Sequence, residues 1–410
     1  MARREVEHLL IGGGLAAASC AKTLREEGAD GSILLVGREA DPPYDRPPLS
    51  KGYLRGEEDR ASALFRGDDW WDEQAIELLT GTSVMKLDPG ERVATLSNKE
   101  EVHFGSALLA TGANVRRLRA DGSDLDGIHY LRAFGNADAI RADAEQASRV
   151  VLVGGSYIGC EVAASLVEAF GCECSIVMRE RVCFEPQFGA DIGGFFQRVL
   201  EEHGVKVHGG DELERFEGDD GRVGRVITKG GLELDCDCVV IGAGVMPDVM
   251  LARSAGLELG ESGGVKCSSR LETSAAGIYA AGDMCEYDSV IHGRHLRVEH
   301  WDVAIEQGKT AARNMLGRDV PHDTVPYFFS DLADWASMEY VGPGSGEPVI
   351  RGSLEKGSFT AFYLDDGGKV TAALTVGRPE DLEHARRFIR EGGTPEAGRL
   401  ADLDGDLASP

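Results

Sequence analysis

The sequence predicts an α/β chain in which one βαβ unit is inserted within another and a small α+β segment follows. Three observations predict it: two glycine fingerprints after apolar runs, a late return of the first unit's strand pattern, and a change of texture after Pro321. The fingerprints are Gly12-Gly13-Gly14-Leu15-Ala16-Ala17 and Gly154-Gly155-Ser156-Tyr157-Ile158-Gly159. Each follows an apolar run and opens a helix-like segment, the pattern of a Rossmann-like dinucleotide-binding domain. At 410 residues the chain exceeds what one hydrophobic core supports, so two or three domains are expected.

Taken in order, residues 9–11 read as a strand, 17–25 as a helix ending near Gly28, and 33–36 as the next strand. The same order returns with a strand at 150–153, a helix at 161–170 stopped by Gly171, and a strand at 174–177. An apolar strand ending in Ala110-Thr111-Gly112 closes the first unit, and one ending in Gly242-Ala243-Gly244 closes the second. Residues 278–281, followed by Gly282-Asp283, come too late for the second unit and return to the first domain, which makes the second an insertion.

Duplication of the fingerprint, with a Gly-Asp pair of the kind that holds a flavin, points to FAD at one site and NADH or NADPH at the other. The expected domains are FAD-binding at 1–117 and 246–322 and NAD(P)H-binding at 118–245. A C-terminal interface domain at 323–395 precedes a flexible, Gly-, Asp- and Ala-rich tail at 396–410. Within the C-terminal domain, 349–354, 358–364 and 369–376 alternate like antiparallel strands, and 379–390 has helical periodicity.

A formal net charge of -27 argues against nucleic acid and anionic membrane as partners. The first eight residues lead into only a short apolar run, and no segment reads as a signal peptide or a membrane span. Nine cysteines without framework spacing suit a reducing cytoplasm. No histidine and cysteine set has metal-ligand spacing, so no metal is expected.

In the first fingerprint Gly12 permits the tight turn, Gly14 lets backbone approach a pyrophosphate, and small Ala17 allows close packing. Glu39, after the second strand, is the expected ribose partner and Arg38 an adenine-side contact. Ser156 replaces the middle glycine of the second fingerprint, which suits an exchangeable cofactor, since a Cβ there loosens the fit to phosphate. Beyond Val177, Arg179 and Arg181 can clamp a 2′-phosphate while Glu180 can serve a 2′-hydroxyl, so NADPH and NADH both stay open. The stretch 42–51 is stiffened by prolines and carries Arg46 and Lys51; it reads equally as a phosphate-facing loop and as a plain surface loop.

Those residues, with Arg-Pro-Pro-Leu-Ser-Lys at 46–51, Gly154 to Glu161, Gly282-Asp283 and Val298-Glu299-His300-Trp301, resemble the FAD-dependent ferredoxin and rubredoxin reductases. These form the putidaredoxin reductase and apoptosis-inducing factor-like branch of the pyridine nucleotide-disulfide oxidoreductase superfamily. The resemblance spans residues 9–388. It implies FAD contacts at Gly12, Gly14, Ala16, Arg46, Lys51, Val84, Arg132, Asp283 and Trp301, and extends the cofactor set to Leu15, Glu299, His300 and Ala304. It further implies a Lys51–Glu161 ion pair beside the flavin N5, aligning hydride donor and acceptor.

The implied activity is hydride transfer from NAD(P)H to FAD, then single electrons to a ferredoxin, rubredoxin or Rieske-type iron–sulfur protein, with a homodimer allowed for. The alternative is an NAD(P)H-responsive redox-sensing protein resembling apoptosis-inducing factor. Phe329 stands where relatives carry Trp, which bears on partner identity. No Cys-x-x-Cys or Cys-x-x-x-x-Cys is placed for disulfide chemistry, so Cys172, Cys174, Cys236 and Cys238 are expected to be structural. Docking of an acidic partner is expected at a basic area drawn from Arg116, Arg117, Arg294, Arg297 and Arg313.

Overall fold

The computed structural model describes residues 3–408; Met1, Ala2, Ser409 and Pro410, which fall in the expected 1–117 and 396–410 segments, lie outside the described residues. The chain divides into two compact units, each of which has its own parallel sheet.

The first unit comprises 1–45, 61–114 and 245–326. Its central strand Arg3–Ile11 pairs in parallel with Ile33–Val36 on one side and Glu101–Leu109 on the other. Strand Ile76–Leu79 extends the sheet beyond Ile33–Val36, and Ile278–Ala280 joins Glu101–Leu109, both in parallel. Leu9, Leu10, Leu34, Leu35, Leu108 and Leu109 are completely buried. Such unbroken apolar runs are what a parallel sheet covered on both faces requires. Helices Leu15–Glu26 and Trp301–Met315 pack against one another beside this sheet.

The second unit comprises 46–60, 115–244 and 327–410. Its parallel sheet runs in the order Lys206–His208, Glu173–Val177, Arg149–Val153, Cys238–Ile241 and Ile128–Tyr130. A separate antiparallel sheet has the order Tyr327–Leu332, Ala336–Val341, Val370–Val376, Ser358–Leu364 and Pro348–Ser353. Helix Pro379–Glu391 lies on that sheet with Leu382, Ala385, Phe388 and Ile389 buried. Phe195 packs edge-on to Phe359, and Phe188 packs against Phe328 and Tyr340, so a shared aromatic core joins the nucleotide-type segment to the C-terminal sheet.

The structure departs from the sequence reading in four places. Helix Tyr157–Phe170 starts four residues earlier than residue 161, directly at the fingerprint. The C-terminal sheet has two further strands, Tyr327–Leu332 and Ala336–Val341. Segments 46–60 and 327–410 cluster with 115–244, not with 1–45 or as a third unit. The tail expected to be flexible is packed over its described residues: Leu400 and Leu407 are buried, and Arg351 and Arg387 donate to its carbonyls.

Candidate active site

In the first unit, Gly12 to Ala17, Ala110-Thr111-Gly112 and Gly282-Asp283 lie at the carboxyl ends of three neighbouring parallel strands. Ligands of open α/β sheets bind at such a carboxyl edge. Gly12 has φ +133°, and a Cβ there would overlap the Ala110 carbonyl oxygen, so only glycine closes this turn. Gly14 is the N-cap of helix Leu15–Glu26, with open space where a Cβ would stand. No acidic residue occupies the first turn and no side chain caps it, which leaves its N–H groups to an anion.

The turn carrying Asp283 is fixed from two sides. Gln307 Oε1 accepts the Gly282 N–H at 2.8 Å, and Arg297 donates to the Asp283 carbonyl at 3.0 Å. A Cβ on Gly282 would touch those of Ala16 and Ala304, which shows how closely these three meet. Gln307 is fully buried, and its Nε2 has no hydrogen-bond partner. That orphaned donor and the open flank of Gly14 fit a bound pyrophosphate-bearing cofactor.

Around this edge, Tyr44 donates to Glu39 at 2.5 Å. Arg38 lies 3.1 Å from Asn114 Oδ1 and 3.5 Å from Asp248 Oδ2. Trp301 opens its helix after Glu299 and His300 and donates Nε1–H to Asp45 at 2.7 Å. Burial lowers the His300 imidazole to about 4, against a smaller opposing pull from Asp283. Val84 opens the antiparallel edge strand Val84–Asp88, paired with Leu96, just after Gly81 and Thr82 donate to the Glu39 and Gly37 carbonyls at 2.8 and 2.9 Å.

The second unit repeats the turn. Gly154 has φ +113°, and a Cβ there would overlap the carbonyl oxygen of Gly242, which begins the Gly242-Ala243-Gly244 turn. Ser156 is the N-cap of helix Tyr157–Phe170, with no side-chain capping bond and no acid in the first turn, which again leaves N–H groups to an anion. Ile158 and Gly159 complete that first turn. Past the next strand, Arg179 is exposed and carries no ion pair among the described residues, whereas Arg181 is held by Glu185 at 2.6 Å. Of the two arginines expected to clamp a 2′-phosphate, Arg181 is thus engaged in an ion pair.

Arg46, Lys51 and Arg132 lie in this second unit, where Arg46 donates to the Arg132 carbonyl. Lys51 Nζ is 2.7 Å from Glu161 Oε2, with side-chain exposures of 12% and 6%. Ser50 Oγ reaches Glu161 Oε2 and Ser330 Oγ reaches Glu161 Oε1, each at 2.5 Å. The Lys51 ammonium also lies 5.6 Å from the Phe329 ring centroid. Gln307, Ser50 and Ser330 escaped the sequence reading, because a lone Gln or Ser carries no spacing signal. The position of Ser50 inside the Pro-Pro-Leu-Ser-Lys string was the one available hint.

Residues 6–308 match the family model described as pyridine nucleotide-disulphide oxidoreductase, and 327–409 match one described as reductase C-terminal. The chain belongs to the pyridine nucleotide-disulphide oxidoreductase family. It is 33% identical over 399 residues to the anthranilate 1,2-dioxygenase system ferredoxin–NAD(+) reductase component of Burkholderia cepacia, covering 96% of each chain. The benzene 1,2-dioxygenase system ferredoxin–NAD(+) reductase subunit of Pseudomonas putida is 33% identical over 400 residues, covering 97% of this chain and 96% of that one. Among solved structures, a ferredoxin reductase from Rhodopseudomonas palustris superposes with a TM-score of 0.93 at 32% identity over 98% of both chains. The covalent putidaredoxin reductase–putidaredoxin complex gives 0.92 at 31% identity, covering 98% of this chain and 97% of that one.

This member of the family is therefore an oxidoreductase of the FAD- and NAD(P)H-using kind, and both fingerprint cradles fit that pair of cofactors. All nine of its cysteines are buried and unbridged. Burial pushes the Cys236 and Cys238 thiols up to about 12, which suppresses the thiolate that redox chemistry needs. Of the arginines expected to serve docking, Arg297 pairs with Glu299 and Arg313 with Glu27 at 3.0 Å, whereas Arg116 and Arg294 are exposed and Arg117 lies over the Tyr130 ring. Among the described residues no helix is long and apolar enough to cross a membrane.

Proposed function

We propose that the chain is an NAD(P)H:ferredoxin-type reductase that passes electrons to a ferredoxin, rubredoxin or Rieske-type iron–sulfur protein. The observation that carries this reading is end-to-end likeness, at 33% identity, to proteins named as ferredoxin–NAD(+) reductases of dioxygenase systems. It also favours turnover over a redox-sensing role. Bound FAD supplies the chemistry, taking an electron pair as hydride and releasing electrons singly.

The chain's own residues would do the rest. Gly12, Gly14 and the helix behind them would hold the FAD pyrophosphate, Asp283 the ribityl chain and Glu39 the adenosine ribose, within 1–117 and 246–322. Gly154, Ser156 and Gly159, within 118–245, would seat the NAD(P)H pyrophosphate loosely enough for exchange, with Arg179 available to a 2′-phosphate. Lys51 would place a cation where negative charge develops, and Glu161 would orient it. A cytoplasmic location belongs to the same reading, supported by nine unbridged thiols.

The test is oxidation of the NADH-reduced protein by candidate acceptors under anaerobic conditions. A two-iron ferredoxin, a rubredoxin or a Rieske ferredoxin should be reduced with a rate that rises with its concentration. Failure of all three classes to accept electrons would remove the reading.

A further inference from the structure

Glu161 is almost completely buried, yet both its oxygens are occupied by three donors from two separate stretches of chain. Oε2 takes the Lys51 ammonium at 2.7 Å and the Ser50 hydroxyl at 2.5 Å, and Oε1 takes the Ser330 hydroxyl at 2.5 Å. An ammonium can only donate, and an ionised carboxylate can only accept. Two hydroxyls turned to the same group therefore offset its negative charge without competing for the lysine.

The surroundings hold these hydroxyls in place. Ser165, one helical turn beyond Glu161, donates to the Ser50 carbonyl at 2.7 Å, so one face of helix Tyr157–Phe170 grips the 46–60 segment twice. Ser50 Oγ lies 3.3 Å from the Pro47 carbonyl, a longer and weaker alternative. Ser330 is 1% exposed and pairs across the sheet with fully buried Met338, so water cannot substitute for it.

Resting on the function proposed above, we propose that Ser50 and Ser330 are positioning residues for hydride transfer, which fix the Glu161 carboxylate through both oxygens and thereby the direction of the Lys51 ammonium. Segment 327–408 then contributes to the chemistry through Ser330, beyond any part it has in docking. Without either hydroxyl one lone-pair site of a buried carboxylate is left bare. The ammonium is drawn toward that site, away from where it aids hydride transfer, and the less compensated negative charge makes reduction of bound flavin harder.

The test compares wild type with Ser330→Ala, Ser330→Thr and Ser50→Ala as FAD-loaded proteins, with flavin content and thermal midpoint reporting folding. Anaerobic mixing with NADH at rising concentration separates the limiting rate of flavin reduction from nucleotide affinity, and dye-equilibrated titration gives the flavin midpoint potential. Each alanine variant should reduce about tenfold more slowly at saturation, the size of one lost hydrogen bond to a charged group, with an unchanged NADH dissociation constant and a more negative potential. Threonine should restore rate and potential. A folded Ser330→Ala with wild-type rate and potential, or one slowed only through weaker NADH binding, overturns the proposal; if that variant does not fold, Ser50→Ala is judged by the same two results. Failure of wild type itself to be reduced would instead sink the function reading.

Discussion

Lys51 and Glu161, far apart in the chain, meet as a buried ion pair at 2.7 Å within the second unit. Breaking one side of such a pair strands a charge, so Lys51→Met should cost on the order of 3–5 kcal/mol of stability. Replacing both, as Lys51→Met with Glu161→Leu, should be less destabilising than the single lysine change but should leave flavin reduction by NADH slowed about 100-fold. Urea unfolding and stopped-flow reduction of the two variants check this; a double variant with wild-type reduction would remove the pair from the mechanism.

Gly12 and Gly154 stand at positive φ against carbonyl oxygens, and each should reject alanine for the same reason. Gly12→Ala should lower the flavin-to-protein ratio after purification, and Gly154→Ala should weaken NAD(P)H binding while the flavin stays bound. Equal loss of both cofactors in both variants would contradict the assignment of one cradle to each. Ser156→Gly should tighten NAD(P)H binding by a few-fold, measured as the dissociation constant.

Much of this was legible in the sequence because the nucleotide cradles depend on backbone shape, and glycine placement records backbone shape directly. The return to the first domain was legible in residues 278–283, which come too late for the second unit, and strand Ile278–Ala280 pairs with Glu101–Leu109. What stayed hidden depends on contacts distant in sequence. Strands Tyr327–Leu332 and Ala336–Val341 are short, and the first alternates buried and half-buried residues that include polar Ser330, so its pattern is weak. The tail looks mobile by composition, yet Arg351, Arg387 and Arg399 all bond to its carbonyls.

The first of these arginines gives a third prediction. Arg351 is buried, lies 3.3 Å from Asp381, and donates to the carbonyls of Leu403 at 3.2 Å and Gly405 at 3.1 Å, as well as to that of Asp402. Arg351→Met should cost on the order of 3 kcal/mol and open residues 400–408 to proteolysis. A protease-resistant tail in that variant would show that Arg387 and the buried Leu400 and Leu407 suffice to hold it.

A fourth concerns pH. Burial lowers the His322 imidazole to about 4, only partly opposed by Glu306 and Asp323, and also lowers that of His8. The unfolded chain takes up these protons near pH 6.5 and the folded chain does not. Stability should therefore be flat above about pH 6.5 and fall as pH drops toward 4, by on the order of 3 kcal/mol from His322 alone. His322→Gln should reduce the slope of the unfolding midpoint between pH 6.5 and 4; an unchanged slope would assign the loss to other groups.

The most direct measurement is anaerobic stopped-flow mixing of the FAD-loaded protein with NADH and, separately, NADPH, following the flavin's visible absorption band. Two cradles serving two nucleotides predict saturable bleaching with at least one of them, slowed in Lys51→Met. An absorption band that neither nucleotide bleaches would contradict the account.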